Sequence, residues 1–200
     1  MCAFEMIAMS KTRQTLIEVA RRLFAQKGIE NTTMNDIAEA SNKGRRTLYT
    51  YFKSKQDIYN AVIQSELESI YLQLEDVIRR NLKADDKLML FFFTRLEAIK
   101  EVVRRNGTLR ADFFRDIWRV EYVRKEFDRK EIAYLQHILE EGVRTKIFEI
   151  SDIPKTAQIL HYALKGLEVP VIRGVLGLNI NNKSDRNTII NLIFKGLYNK

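Results

Sequence analysis

The sequence predicts an all-α fold, with an N-terminal three-helix unit followed by a longer helical body. Three observations predict it. Proline and glycine number only 2 and 8 in 200 residues, so strand-turn signals are few. Apolar residues recur at helical spacing along most of the chain. Capping residues also stand where the periodic stretches begin and end.

The elements follow in order. A helix over 11–27 carries Leu16, Ala20, Leu23 and Phe24 on one stripe, with Arg13, Arg21 and Arg22 off it. Gly28 stops it, and residues 1–9 read as a loose arm. Thr33 caps a short second helix, Asp36 closes a capping-box-like start, and Ile37 and Ala38 face inward. Asn42 stands at a tight turn, where asparagine tolerates left-handed backbone. A third short helix covers about 44–52. Ser54, partnered by Asp57, caps a fourth that runs to about Arg80. After a break at 83–86 a fifth helix continues to about Arg105, and Asn106 with Gly107 ends it. A shorter helix carries Leu109, Phe113, Phe114 and Trp118. A longer one over about 120–145 carries Tyr134, Leu135, Ile138 and Leu139. A new start at 151–154 opens a helix with Leu160, Leu164 and Leu167. Pro170 cannot donate to the carbonyl of Gly166, which predicts a kink or break there. A polar loop at 179–184 precedes a last helix over about 185–198. The expected domains are 1–54 and 55–200.

Composition bounds the function. Apolar residues make up 46% of the chain and charged residues 30%, as in ordinary folded proteins. The net charge is +8. Residues 1–56 hold ten Lys/Arg against five Asp/Glu, so over half the excess lies in little more than a quarter of the chain. The single Cys2 forms no internal disulfide and no CxxC pair exists. His137 and His161 are the only histidines and stand far apart, so no metal site is expected, and no cofactor. No nucleophile elbow, phosphate-cradling glycine loop or triad is legible, and an enzyme is not expected. The start lacks a basic region before its apolar residues, and no apolar run approaches the roughly 20 residues needed to span a bilayer. A cytoplasmic protein without a membrane partner is expected.

A helix, a short helix, a tight turn and another short helix within about 50 residues form the layout of a three-helix DNA reader. Along residues 44–52, Leu48 and Phe52 share one face, and Arg46 and Thr50 lie roughly opposite. Tyr49 and Tyr51 flank the two faces. The outward side offers guanidinium, hydroxyl and phenol groups, donors suited to base edges and phosphates. The stretch Thr32-Thr33-Met34-Asn35-Asp36-Ile37-Ala38-Glu39-Ala40, followed by Thr47-Leu48-Tyr49-Thr50-Tyr51-Phe52-Lys53-Ser54-Lys55, resembles the signature of the TetR family of transcriptional regulators. The turn departs from the family's small apolar pattern: it reads Ser41-Asn42-Lys43-Gly44.

The resemblance implies roles by matching position. Arg45 and Arg46 open the recognition helix and would read bases, with Thr47 and Thr50 beside them. Tyr49 and Tyr51 would meet phosphate or a thymine methyl. Thr33 and Asn35, at a helix start, would hold a phosphate. Lys43 would reach another phosphate, and Lys55 would clamp a third. The implied partner is double-stranded DNA, bound by a homodimer whose C-terminal region binds a ligand. The last helix supports assembly independently, because Ile189, Ile190, Ile193, Phe194 and Leu197 form an arc too wide for one packing face. Leu164 is assigned to the same interface. Phe92, Phe113, Phe114, Trp118 and Tyr134 are candidates to line a pocket for an apolar or aromatic small molecule, although for any single one of them ordinary core is the better account. A body that recruits a protein partner is the alternative.

Overall fold

A computed structural model describes residues 3–106, 117–173, 182–195 and 197, with their side chains except at 3–10, 117–124, 186, 189, 190 and 192–194. Among the described residues every element is a helix: α1 (Ala3–Lys27), α2 (Met34–Ala40), α3 (Arg45–Tyr51), α4 (Lys55–Arg79), α5 (Ala84–Arg105), α6 (Ile117–Arg144), α7 (Ile153–Ile172) and α8 (Lys183–Phe194). The chain forms two compact units. One comprises Met1–Leu67 with Val102–Arg124, the other Glu68–Glu101 with Lys125–Lys200.

Four expectations change. First, α1 begins at Ala3, so the arm is helical rather than loose. Second, α6 begins at Ile117, which puts Trp118 in the long helix; Phe113 and Phe114 lie outside the described residues. Third, α7 is not broken at Pro170 and continues to Ile172. Pro170 stands in the last turn, and the N–H of Arg173 still reaches the carbonyl of Val169 at 3.0 Å. Fourth, α8 starts at Lys183, where the side chain of Asn182 accepts from the N–H of Ser184.

In the first unit Leu16, Ala20, Phe24, Ile37, Ala38, Leu48, Phe52 and Ile58 are buried. Phe24 meets Tyr59 edge-on, and the guanidinium of Arg13 lies over the ring of Phe52, 5.4 Å from its centre. The connections follow from local chemistry. Gly28 adopts φ +82°, the left-handed stop that ends α1. The Thr33 hydroxyl accepts from the N–H of Asp36, and the Asp36 carboxylate accepts from the N–H of Thr33. Asn42 is left-handed at φ +53°, and the N–H groups of Asn42 and Lys43 return to the carbonyls of Glu39 and Ala38. That pair of bonds is a Schellman stop with asparagine in the glycine position.

In the second unit Leu74, Leu88, Phe91, Phe92, Leu135, Ile138, Leu139, Leu160 and Leu164 are buried. The end of α6 repeats the Schellman pattern with Lys146 at φ +60°, and the carbonyl of Gly142 accepts from both Ile147 and Phe148. A methyl group added at Gly142 would stand 2.0 Å from the ring of the buried Phe148.

These two positions predict opposite effects in one turn. Lys146→Gly relieves a left-handed side chain and should stabilise the protein by about 1 kcal/mol. Gly142→Ala forces Phe148 out of its packing and should destabilise it by about 1–3 kcal/mol. Urea denaturation of both variants checks the signs.

Candidate nucleic-acid interface

The geometry of α3 follows from its pattern. Leu48 and Phe52 are buried, while Arg45, Arg46, Tyr49 and Thr50 are exposed, Tyr49 by 44%. Thr47 and Tyr51 are half-buried at the edges of that face. Gly44 caps the helix in extended conformation without a side-chain bond, which leaves the first N–H groups of α3 open at its start. Lys43, Thr33 and Asn35 are exposed around the same turn. The face is thus basic and donor-rich over an apolar underside. The Thr50 hydroxyl donates to the carbonyl of Arg46 at 2.9 Å.

Lys55 requires a correction. Its ammonium donates to the carbonyl of Ile29 at 2.7 Å and more weakly to that of Glu30. It is a tie between the start of α4 and the turn after α1, where the Ile29 carbonyl also accepts from the N–H of Thr32. Phosphate clamping is therefore not what its geometry serves.

The comparisons bear on this surface. The model for bacterial regulatory proteins of the tetR family matches residues 16–62, the stretch that builds this head. Residues 16–62 are a TetR-family DNA-binding domain. The chain is a DNA-binding transcriptional regulator and not an enzyme. An HTH-type transcriptional regulator of Bacillus subtilis, YhgD, is 25% identical over 153 residues, which is 74% of this chain and 78% of that protein. The probable acrEF/envCD operon repressor of Escherichia coli K12 is 50% identical over 50 residues, 25% of this chain and 23% of that protein. A transcriptional regulator from Cytophaga hutchinsonii superimposes with a TM-score of 0.71 at 23% identity, covering 93% of this chain and 98% of its own. This last likeness speaks for the fold alone.

The second unit differs from the sequence reading in detail. Phe92 is buried against Phe93, and Tyr134 stacks on Tyr71 at 5.2 Å. Neither lines the open cleft of about 440 Å³ bounded by Lys83, Ala84, Asp85, Glu141, Thr145 and Ile147. The ring of Trp118 lies outside the described side chains, as do those of Ile189, Ile190, Ile193 and Phe194; Leu197 is half-buried. Leu164 is fully buried in its own unit, so it is core rather than interface. The outward side of α7 instead carries Ile159 and Tyr162, exposed by 60% and 64%. No helix among the described residues is long and apolar enough to cross a membrane.

Sequence reasoning missed a charged cluster in this unit. Arg95 on α5 is buried between Glu131 on α6 and Glu168 on α7, donating to both, and stands over the ring of Phe127. Burial works against every one of these charges. Arg95 and His161 nevertheless hold Glu131 below the ordinary carboxylate range, and the two glutamates keep Arg95 charged. His161 is buried beside Glu131 and Asp128, and Lys165 donates to Asp128 at 2.8 Å. A signal was present in the sequence: Ala157, His161, Leu164 and Glu168 fall on one helical stripe, which puts polar groups on a core face.

The correction at Lys55 carries its own test. Lys55→Met keeps the aliphatic stem and removes the ammonium. It should lower stability by about 1–2 kcal/mol in chemical denaturation. An unchanged midpoint would show that water replaces the tie.

Proposed function

We propose that this chain is a ligand-responsive repressor that binds a near-palindromic operator as a homodimer. The observation that carries the reading is the α3 face, with Arg45, Arg46, Tyr49 and Thr50 exposed above buried Leu48 and Phe52. Arginine there binds guanine O6 and N7 together, while Lys43, Thr33, Asn35 and Tyr51 meet phosphates around it. The name of the Escherichia coli relative supports repression. Functionally, residues 1–54 act as the reading head and 55–200 as the effector-binding and dimerising body. The reading carries a cytoplasmic location, because operator DNA is there.

Two subunits place their α3 helices in successive major grooves, about 34–36 Å apart. Ile159 and Tyr162 support α7 as part of the subunit contact, beside the apolar arc of the last helix. The effector is a small apolar or aromatic molecule. It releases DNA by the difference in its affinity for two body conformations, so operator must weaken effector binding by the same factor.

The deciding experiment is footprinting on DNA upstream of the protein's own gene, followed by binding to a randomised site library. Arg46→Ala should lose discrimination at one position, worth about 1–3 kcal/mol, while binding weakens with salt by a log–log slope of about −0.9 per phosphate contact. An Arg46→Ala variant with unaltered preference removes the base-reading role. Ile159→Asp with Tyr162→Asp should convert dimers to folded monomers in light scattering. If dimers persist while captured DNA is unaffected, that α7 face serves a protein partner instead.

A further inference from the structure

We infer that Asp128, Glu131 and His161 form a binding site for a divalent first-row metal cation in the second unit, independent of how operator control works. One donor atom from each of these residues lies within 4.8 Å of the others. Three features set the group apart from an ordinary buried ion-pair network.

The first is the division of labour in the two carboxylates. Glu131 gives Oε2 to Arg95 at 3.2 Å, and Asp128 gives Oδ2 to Lys165 at 2.8 Å. The remaining oxygens, Glu131 Oε1 and Asp128 Oδ1, are buried without a hydrogen-bond partner and face the same imidazole. On Glu131 this is how an outer group orients a metal ligand, with buried Arg95 holding one oxygen so that the other is presented inward, whereas the part-exposed Lys165 competes with an ion for Asp128.

The second is the imidazole itself. His161 has a side chain only 1% exposed, and neither ring nitrogen has a hydrogen-bond partner. Buried polar atoms are left unpaired only at a real free-energy cost, so a missing partner is implied.

The third is spacing. His161 Nε2 stands 3.7 Å from Asp128 Oδ1, and Nδ1 stands 3.6 Å from Glu131 Oε1. Charge-assisted hydrogen bonds close to about 2.7–2.9 Å. Two donors at about 2.1 Å from a tetrahedral ion are instead about 3.4 Å apart. Only one ring nitrogen can ligate a given ion; from it the gap to the facing oxygen suits an ion better than a shared proton, and the other carboxylate lies within 4.8 Å. One ring nitrogen and the two free oxygens make a one-nitrogen, two-oxygen set, which suits Zn2+ or Mn2+ over Cu+ or a cluster. Asp128, 22% exposed, provides the edge at which water completes the shell.

Glu131 shares Arg95 with Glu168, and Asp128 has Lys165. Lys165 is 29% exposed and can swing to solvent, leaving Asp128 to the ion.

The test uses the full-length protein, stripped with chelator and titrated at neutral pH with Zn2+ alone and then Mn2+ alone, by calorimetry and by metal analysis after dialysis. One Zn2+ per chain is expected. Asp128→Asn, at the half-exposed edge and so least able to harm the fold, should weaken binding at least tenfold, as should His161→Gln if circular dichroism shows it folded. Lys165→Met removes the competing cation and should tighten binding severalfold, an effect that neither a purely structural cluster nor surface carboxylates would give. Absence of binding by folded protein, unchanged affinity in Asp128→Asn, or no tightening in Lys165→Met overturns the site. A metal-free His161 shown by nitrogen NMR to be an imidazolium that excludes Zn2+ overturns it in favour of a proton.

Discussion

A seven-residue helix does not hold itself together in water, because nucleation consumes most of what so few hydrogen bonds return. α3 has that length, and it carries the groups that make the head a DNA-binding surface. Its shape therefore depends on the burial of Leu48 and Phe52, with Ile37 and Ala38 from α2 and Leu16, Ala20 and Phe24 from α1 completing the apolar underside. The rest of the head serves that packing. The left-handed Gly28 and Asn42 turn the chain within one or two residues, and the reciprocal Thr33–Asp36 pair starts α2 without help from tertiary contacts. Lys55 ties the first turn of α4 back to the loop behind α1. Short helices are held by neighbours, and exact turns hold the neighbours.

The second unit solves a different problem. Its helices are long enough to be apolar along a full stripe, yet α5, α6 and α7 each place charge on the buried side. Such networks rarely stabilise a fold relative to a hydrocarbon core, since desolvation opposes the Coulomb gain. Breaking one by removing a single partner is another matter, because it leaves an uncompensated charge inside. Arg95 between two glutamates is thus a poor source of stability and a strict constraint on which side chains neighbour it.

How much was legible in the sequence tracks how local the cause is. The capping box, the glycine stop, the left-handed asparagine and the alternation of Leu48 with Arg46 act within four residues, and they can be read without coordinates. Pro170 does not break α7, because its effect depends on how far the helix continues, and α7 ends two residues later. Lys55 looked like a free cation because its acceptors stand twenty-six residues earlier in the chain. Leu164 and Ile159 are both apolar and both on α7. Only packing decides that the first is core and the second exposed. The Arg95 cluster joins three helices far apart in sequence, and its trace was limited to polar residues on an apolar stripe.

The bond from the Thr50 hydroxyl to the Arg46 carbonyl has one more consequence. It commits the only proton that Thr50 owns, so in this rotamer the hydroxyl shows the outside world lone pairs alone. Arg46, one turn earlier on the same face, can only donate. The helix thus carries opposite polarities side by side, like the two pins of a keyed plug. Whatever lies against it must offer an acceptor at the first position and a hydrogen at the second, and sliding along by one turn exchanges a match for two collisions of like with like.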